Sequence, residues 1–394
     1  MGFIDADTHV LECEETWDCM EPSDRQYRPV PVEVPAGVGG NPYAKQMYLI
    51  GETFVRRFPT DGRAAGFGAE YSAEVSHLAD PSVRLRKMDA LGIDVQVVIS
   101  TNFIGAQLED PFAEAAVMRG WNRWLAERTT GYRDRLPWVL VCPTRDIDRA
   151  IQELEFGKKN GAIGVMLKGI DHGYYLSHPR FHRLYERAQD LDLAIVVHQG
   201  AARVHVEGLG VTSTKGALAG NIDYTSTVMK AFFAVLDSDL NKRFPRLRWT
   251  FVEAGGSWLP FVFHYLTRAR AAARADSYVM TRRGPSRVIS PIDAAAEMEA
   301  RNMFVTVDAD EDIPHLVSLI GERHIMIGTD MCHNDNGSDP LAHTVVMDRT
   351  DISPEVARLI TDQNARRGFA IPMDFNPTAK LPAATKRELE LAVL

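Results

Sequence analysis

Ile4-Asp5-Ala6-Asp7-Thr8-His9, at the start of the chain, is the stretch whose reading decides the fold. It reads as a buried strand on which Asp7 and His9 stand two residues apart. Side chains at i and i+2 of a strand share a face, so a carboxylate and an imidazole converge where one metal ion could take both. One such pair is only part of a metal site, and the other ligands must come from elsewhere in the chain.

The first run, at about 2–7, is followed by similar short β-branched runs at about 94–100, 137–142, 162–168, 193–198, 248–253, 302–307 and 323–329. Val95-Gln96-Val97-Val98-Ile99, Ile195-Val196-Val197 and Ile325-Met326-Ile327 are almost continuously apolar, as expected of parallel strands covered on both faces. Amphipathic stretches at 111–128, 146–159, 180–190, 226–240 and 354–368 alternate with them as helices. Eight such βα units predict an α/β protein of the (β/α)8 TIM-barrel class. A doubly wound nucleotide-binding sheet is disfavoured, because no G-x-G-x-x-G follows the first run.

The barrel is expected to occupy residues 1–370. Residues 10–85, rich in proline, glycine and aromatic side chains, form an insertion after the first strand that caps the mouth. A glycine-rich loop at 199–224 has the composition of a lid, and residues 371–394 form a tail suited to a subunit contact. At 394 residues the chain is long enough for a large core, and its 45% hydrophobic and 25% charged residues are ordinary globular values. The net charge of −9 speaks against a nucleic-acid partner, which needs a basic surface. A small-molecule substrate is expected instead, in a homo-oligomer or in a hetero-oligomer with a homologous subunit. No apolar run is long enough to span a membrane, and the first residues lack the pattern of a signal peptide, so a cytoplasmic protein without a membrane partner is expected. Cys13, Cys19, Cys142 and Cys332 have no zinc-ribbon spacing and read as reduced thiols.

Active sites of this fold lie at the C-terminal ends of the strands, so position on a strand becomes a functional criterion. Asp7 and His9 end the first strand, His198 the fifth and Asp330 the eighth. Together they offer two imidazoles and two carboxylates, a set suited to zinc, manganese or iron with positions left for water and substrate. Glu253, at the end of the sixth strand, reads equally as a general base, a further ligand or a partner that orients His198. His333 follows Asp330 closely and Lys168 ends the fourth strand. His77, His172 and His205 are loop histidines that could contact substrate or a second metal but read by default as surface residues, and His264 reads as a packed helical one. Arg56 with Arg57, and Arg282 with Arg283, could bind a substrate carboxylate.

These motifs carry a resemblance. Asp7-Thr8-His9-Val10-Leu11-Glu12 with Trp17, Leu91-Gly92-Ile93-Asp94, Asn122 with Trp124 and Phe244-Pro245-Arg246-Leu247 are part of it. Glu253-Ala254-Gly255-Gly256-Ser257-Trp258, Gly328-Thr329-Asp330 and Asn364-Ala365-Arg366-Arg367 complete it. The chain resembles the amidohydrolase superfamily, in the group that includes aminocarboxymuconate semialdehyde decarboxylase and the resorcylate decarboxylases. The resemblance implies a divalent metal held by Asp7, His9, His198 and Asp330. It departs from the family pattern twice: Asp7 stands where His or Glu is frequent, and Glu253 replaces a sixth-strand catalytic His. In dinuclear members of the superfamily a lysine at the strand of Lys168 is carbamylated and bridges two metals.

Three functions follow as expectations. The first is a metal-dependent hydrolase or non-oxidative decarboxylase, acting on a small, carboxylate-bearing organic substrate. In it Asp330 both ligates and accepts a proton, Glu253 assists and His198 holds the ion, with zinc placed before manganese or iron. The second is a non-haem dinuclear iron or manganese oxygenase, with Glu253, His205, His333 or Lys168 supplying ligands to a second metal. The third is a metal-binding structural partner of an active homologue.

Overall fold

The computed structural model describes residues 2–35, 46–58, 71–200, 217–274, 291–333 and 337–374. Eight parallel strands form one sheet: Phe3–Val10, Ile93–Ser100, Trp138–Val141, Ala162–Lys168, Ala194–His198, Trp249–Val252, Met303–Val307 and Ile325–Ile327, adjacent in that order. They fall where the β-branched runs predict them, and helices run between them. The sheet is drawn into a barrel where the first strand meets the segment after the eighth: Asp330 N donates to Asp7 O at 3.0 Å and His9 N to Met331 O at 2.9 Å. Asp5 reinforces this seam from within, its carboxylate accepting from Thr329 N at 2.8 Å and Thr329 Oγ1 at 2.6 Å.

Local chemistry explains where the helices start. Asp80, Asp110, Asp146 and Asp312 are N-caps whose carboxylates accept from the free amides of the first turn, and the first, second and fourth are followed within two residues by a proline. The helix predicted at 226–240 begins earlier and runs over Ala217–Leu236. The last predicted helix is divided: Pro354–Arg358, a π-helical turn over Leu359–Gln363, then Asn364–Phe369. Such a turn holds one residue more than 3.6-residue periodicity anticipates.

The strands are buried on both faces, with Val165, Ile195, Val196, Val197, Phe251, Val305 and Ile327 all in the core. Gly164 faces the barrel interior, where a Cβ would stand 2.8 Å from Val196 Cγ2 and 3.1 Å from Ala194 O. Among its described residues the 10–85 insertion holds a three-stranded antiparallel sheet of Val30–Glu33, Gln46–Ile50 and Thr53–Arg56. Asn102, just past the end of the second barrel strand, donates to Arg56 O at 3.0 Å, which seats that sheet on the C-terminal rim. Most of the glycine-rich loop and the tail beyond Asp374 lie outside the described residues.

Candidate metal centre

A β-bulge aims the first-strand pair. Asp5 pairs with Gln96 and Thr8 with Val98, so three steps along the first strand match two along the second. The extra residue resets the alternation of side chains. Asp5 and Thr8 turn toward the buried Arg84 of helix Pro81–Leu91: Arg84 Nη2 donates to Thr8 Oγ1 at 3.0 Å, Arg84 Nε to Gln96 Oε1 at 2.8 Å, and Gln96 Nε2 to Asp5 Oδ2 at 3.2 Å. Asp7 and His9 turn into the barrel mouth. His198 is the last residue of the fifth strand. Glu253 and Asp330 lie one and three residues past the sixth and eighth strands, each with left-handed backbone at φ +58° and +51°. L-residues rarely adopt this conformation and it costs about 1–3 kcal/mol, a strain that clusters where side chains must be aimed.

Two groups of four donors meet here, Asp7, His9, His198 and Glu253, and His9, Glu253, Asp330 and His333; they share two members, so six residues converge. His198 Nε2 lies 2.8 Å from Glu253 Oε2, 3.1 Å from His9 Nε2 and 3.6 Å from Asp7 Oδ1. His9 Nε2 lies 3.5 Å from Asp7 Oδ1, 3.3 Å from Asp330 Oδ1 and 3.7 Å from Glu253 Oε2. The His333 ring stacks on His9 with centroids 3.5 Å apart, its Nδ1 2.8 Å from Asp330 Oδ1.

The donor set fits a divalent cation. His9 Nδ1 faces Ser100 O at 3.2 Å and His198 Nδ1 faces Gln199 O at 2.6 Å, so each Nδ1 carries its proton to a carbonyl and each Nε2 presents a lone pair to the cluster. Two lone pairs and three carboxylate oxygens then point at one another. Asp7 Oδ1, Glu253 Oε2 and Asp330 Oδ1 are buried without a well-formed hydrogen bond, an arrangement unfavourable unless a cation neutralises it. The 2.8–3.7 Å separations also match the spacing of about 3.0–3.5 Å between ligand atoms around an ion bonded at about 2.0–2.2 Å.

The groups of the cluster shift one another's titration. Burial opposes charge on His198, yet Glu253 and Asp7 keep its imidazole protonated well above the usual histidine range. Burial likewise pushes Glu253 and Asp7 up, but the neighbouring imidazoles hold both below the ordinary carboxylate value. Asp330 moves the other way, raised mainly by burial. Ser338 Oγ donates to Asp330 Oδ2 at 2.6 Å and Gln199 Nε2 to Glu253 Oε1 at 2.9 Å, fixing both carboxylates.

Of the other candidates, Lys168 ends the fourth strand in register with His198 and is buried. His205, Arg282 and Arg283 lie outside the described residues. Three histidines differ from expectation. His77 is buried, bonding Ser76 Oγ at 2.9 Å and Phe58 O at 3.2 Å. His172 is half-buried with its side chain enclosed, Nε2 lying 2.6 Å from Glu114 Oε1. His264 is exposed on its helix. Arg57 is held by Glu14 at 2.7 Å within the insertion, whereas Arg56 stands on the rim near Tyr224. Sequence reasoning missed Asp5, Glu12, Arg84 and Glu114, buried charges whose partners lie far along the chain. The signal for Asp5 and Glu12 was their place in and just after an otherwise buried strand.

The chain spans 92% of its own length and 98% of the other's in superposition on an amidohydrolase of Mycobacterium avium subsp. paratuberculosis, at 17% identity and a TM-score of 0.69. The 5-carboxyvanillate decarboxylase of Sphingomonas paucimobilis aligns over 94% of this chain and 99% of that one, at 18% identity and 0.60. The 4-oxalomesaconate hydratase of Rhodopseudomonas palustris aligns over 93% and 95%, at 16% and 0.57. At these identities the likenesses show a common fold. No curated protein matches the chain in sequence. The family model described as amidohydrolase matches residues 4–371, nearly the entire chain, and the protein therefore belongs to the amidohydrolase family.

Proposed function

We propose that the protein is a metal-dependent enzyme acting on a small organic acid, by non-oxidative decarboxylation or by hydrolysis. One observation carries this reading: Asp7, His9, His198 and Glu253 bring their ligand atoms to within 4.8 Å of one another at the rim of the barrel. Among the structural neighbours are a 5-carboxyvanillate decarboxylase and a 2,6-dihydroxybenzoate decarboxylase, which supports a carboxylate-bearing substrate. Zinc is the first candidate ion, ahead of manganese and iron.

A divalent ion at this cluster supplies Lewis acidity, polarising a substrate oxygen or acidifying water. The residues of the chain do the rest. Asp330, fixed by Ser338 at the mouth of the barrel, is the proton carrier: it takes a proton from water in hydrolysis, or delivers one to the substrate carbon that loses carbon dioxide. Glu253, held by Gln199, keeps His198 oriented and balances its charge. Arg56 and the insertion sheet border the mouth and select the substrate by its anionic group.

The test is a panel of hydroxybenzoates, unsaturated acids, amides and esters offered to the zinc-, manganese- and iron-loaded protein, with carbon dioxide release and hydrolysis both followed. Asp330→Asn should lower turnover by at least about 10²-fold while the folded spectrum is kept. Wild-type turnover in that variant would remove the proposal.

The six-donor cluster, richer than one ion needs, favours a second reading as a two-metal non-haem oxygenase. Iron or manganese content with substrate-dependent oxygen consumption would support it, and zinc with anaerobic turnover would end it. The structural-partner reading predicts that the isolated protein turns over none of the panel.

A further inference from the structure

We infer that Lys168 is the anchor for a carboxylate of the substrate, which it holds beside the donor cluster on the side of the fourth strand. The inference rests on the proposed action on a small organic acid and deepens it by naming the group that orients the acid. Lys168 is the last residue of the fourth barrel strand and pairs in register with His198, the last residue of the fifth. Register partners on adjacent strands present their side chains to the same face, and His198 faces the cluster. The preceding residues keep the same alternation: Met166 pairs with Val196 and Gly164 with Ala194, and a Cβ on Gly164 would meet Val196 Cγ2 inside the barrel. Lys168 is therefore directed into the mouth, next to the ligand His198.

The side chain is buried there without a partner. Lys168 is only 5% exposed, and among the described residues no carboxylate pairs with it and no oxygen accepts from it. Other buried cations of the chain are satisfied: Arg84 donates to His9 O, Thr8 Oγ1 and Gln96 Oε1, and Arg135 reaches Asp89 at 2.7 Å. The acids around the mouth are engaged elsewhere, Glu253 with His198 and Gln199, Asp330 with His333 and Ser338, and Asp7 with His9 and His198. Asp171, the carboxylate nearest in sequence, is taken by Thr144 and His172. A buried cation is unfavourable until an anion joins it. A carboxylate brought by the substrate completes Lys168 while another oxygen of the same molecule reaches the cluster. Arg56, half-buried on the rim, meets the acid first, and Lys168, deeper in the barrel, fixes its orientation.

The competing role for Lys168 is as a carbamylated metal ligand. Zinc-loaded protein titrated calorimetrically with benzoate, and with its neutral analogue benzamide, separates the two. Wild type should prefer benzoate, and Lys168→Met, which keeps the length and removes the charge, should bind benzoate about 10- to 100-fold more weakly. Its benzamide affinity, zinc content and circular dichroism spectrum should be those of the wild type. A wild type that binds benzoate no better than benzamide, or a variant that binds it as the wild type does, overturns the inference. Zinc lost together with the side chain also overturns it, because that result makes Lys168 a ligand. A second measurement needs no variant: benzoate should slow acetylation of Lys168 by acetic anhydride severalfold in wild-type protein, read by mass spectrometry, and an unchanged rate refutes the anchor. A wild type that takes up no zinc, manganese or iron would instead remove the metal-dependent reading, so the two failures are distinguishable.

Discussion

Glu12 shows how a single buried residue couples this site to pH. It lies three positions beyond His9 and accepts from Ser100 Oγ at 2.5 Å and from Asn102 N at 3.1 Å, the residues that close the second strand. Burial pushes its carboxyl from 4.5 up to about 7, against the opposing pull of these hydrogen bonds. The native protein therefore keeps a proton on Glu12 up to about 7, whereas the unfolded chain loses it near 4.5. Between those values the native state binds more protons than the unfolded one, and stability falls as pH rises. At about 1.4 kcal/mol per pH unit the loss is at most about 3.5 kcal/mol. Glu12→Gln preserves the acceptor and removes the titration, so urea unfolding at about pH 5 and about pH 7.5 should show a flatter dependence than the wild type. An identical slope in both proteins would rule this out. Neither Glu12 nor the Glu114–His172 pair was legible as a pair from the sequence, since their partners lie 88 and 58 residues away.

At the scale of elements, the strand ends carry the site and the helix ends carry stability. Strand positions were readable because apolar β-branched runs repeat between amphipathic ones, and those periodicities are local. The bulge between Asp5 and Thr8 was not readable, because nothing in the hexapeptide distinguishes a regular strand from one that gains a residue against its neighbour. That bulge decides that Asp5 braces the barrel seam toward Arg84 while Asp7 enters the mouth. The helix Ile147–Lys159 offers a contrasting case. Asp146 caps it, accepting from Asp148 N and Arg149 N at 3.1 Å each. Asp146→Ala should destabilise the protein by about 1 kcal/mol in thermal or urea unfolding and leave turnover and metal content unchanged. A change in either activity or metal content would mean that this helix communicates with the mouth.

Across the whole molecule, the barrel gathers residues separated by up to some three hundred positions into one buried cluster. Folding must bring three carboxylates together, and a bound cation would make that favourable. The expected consequence is a metal-linked stability: chelation should lower the melting temperature, and restoring the ion should recover it. At an ion concentration about a hundredfold above the dissociation constant, the stabilisation is about 2.7 kcal/mol. Unchanged melting after chelation, with metal removal verified by analysis, would show that the cluster does not need an ion to hold together. Among the described residues no helix is long and apolar enough to cross a membrane.

The sequence by itself determined the eight strands, their parallel βα order and the strand-end positions of Asp7, His9, His198, Glu253 and Asp330, because each follows from periodicity over a few residues. Tertiary structure alone decided that His333 joins them, that the side chains of His77 and His172 are enclosed and that Glu253 faces two groups of donors at once. Those outcomes depend on strand register, on the bulge and on the left-handed turns at Glu253 and Asp330. Such features are set by contacts between distant segments, and the energy that selects them exists only once the barrel has closed.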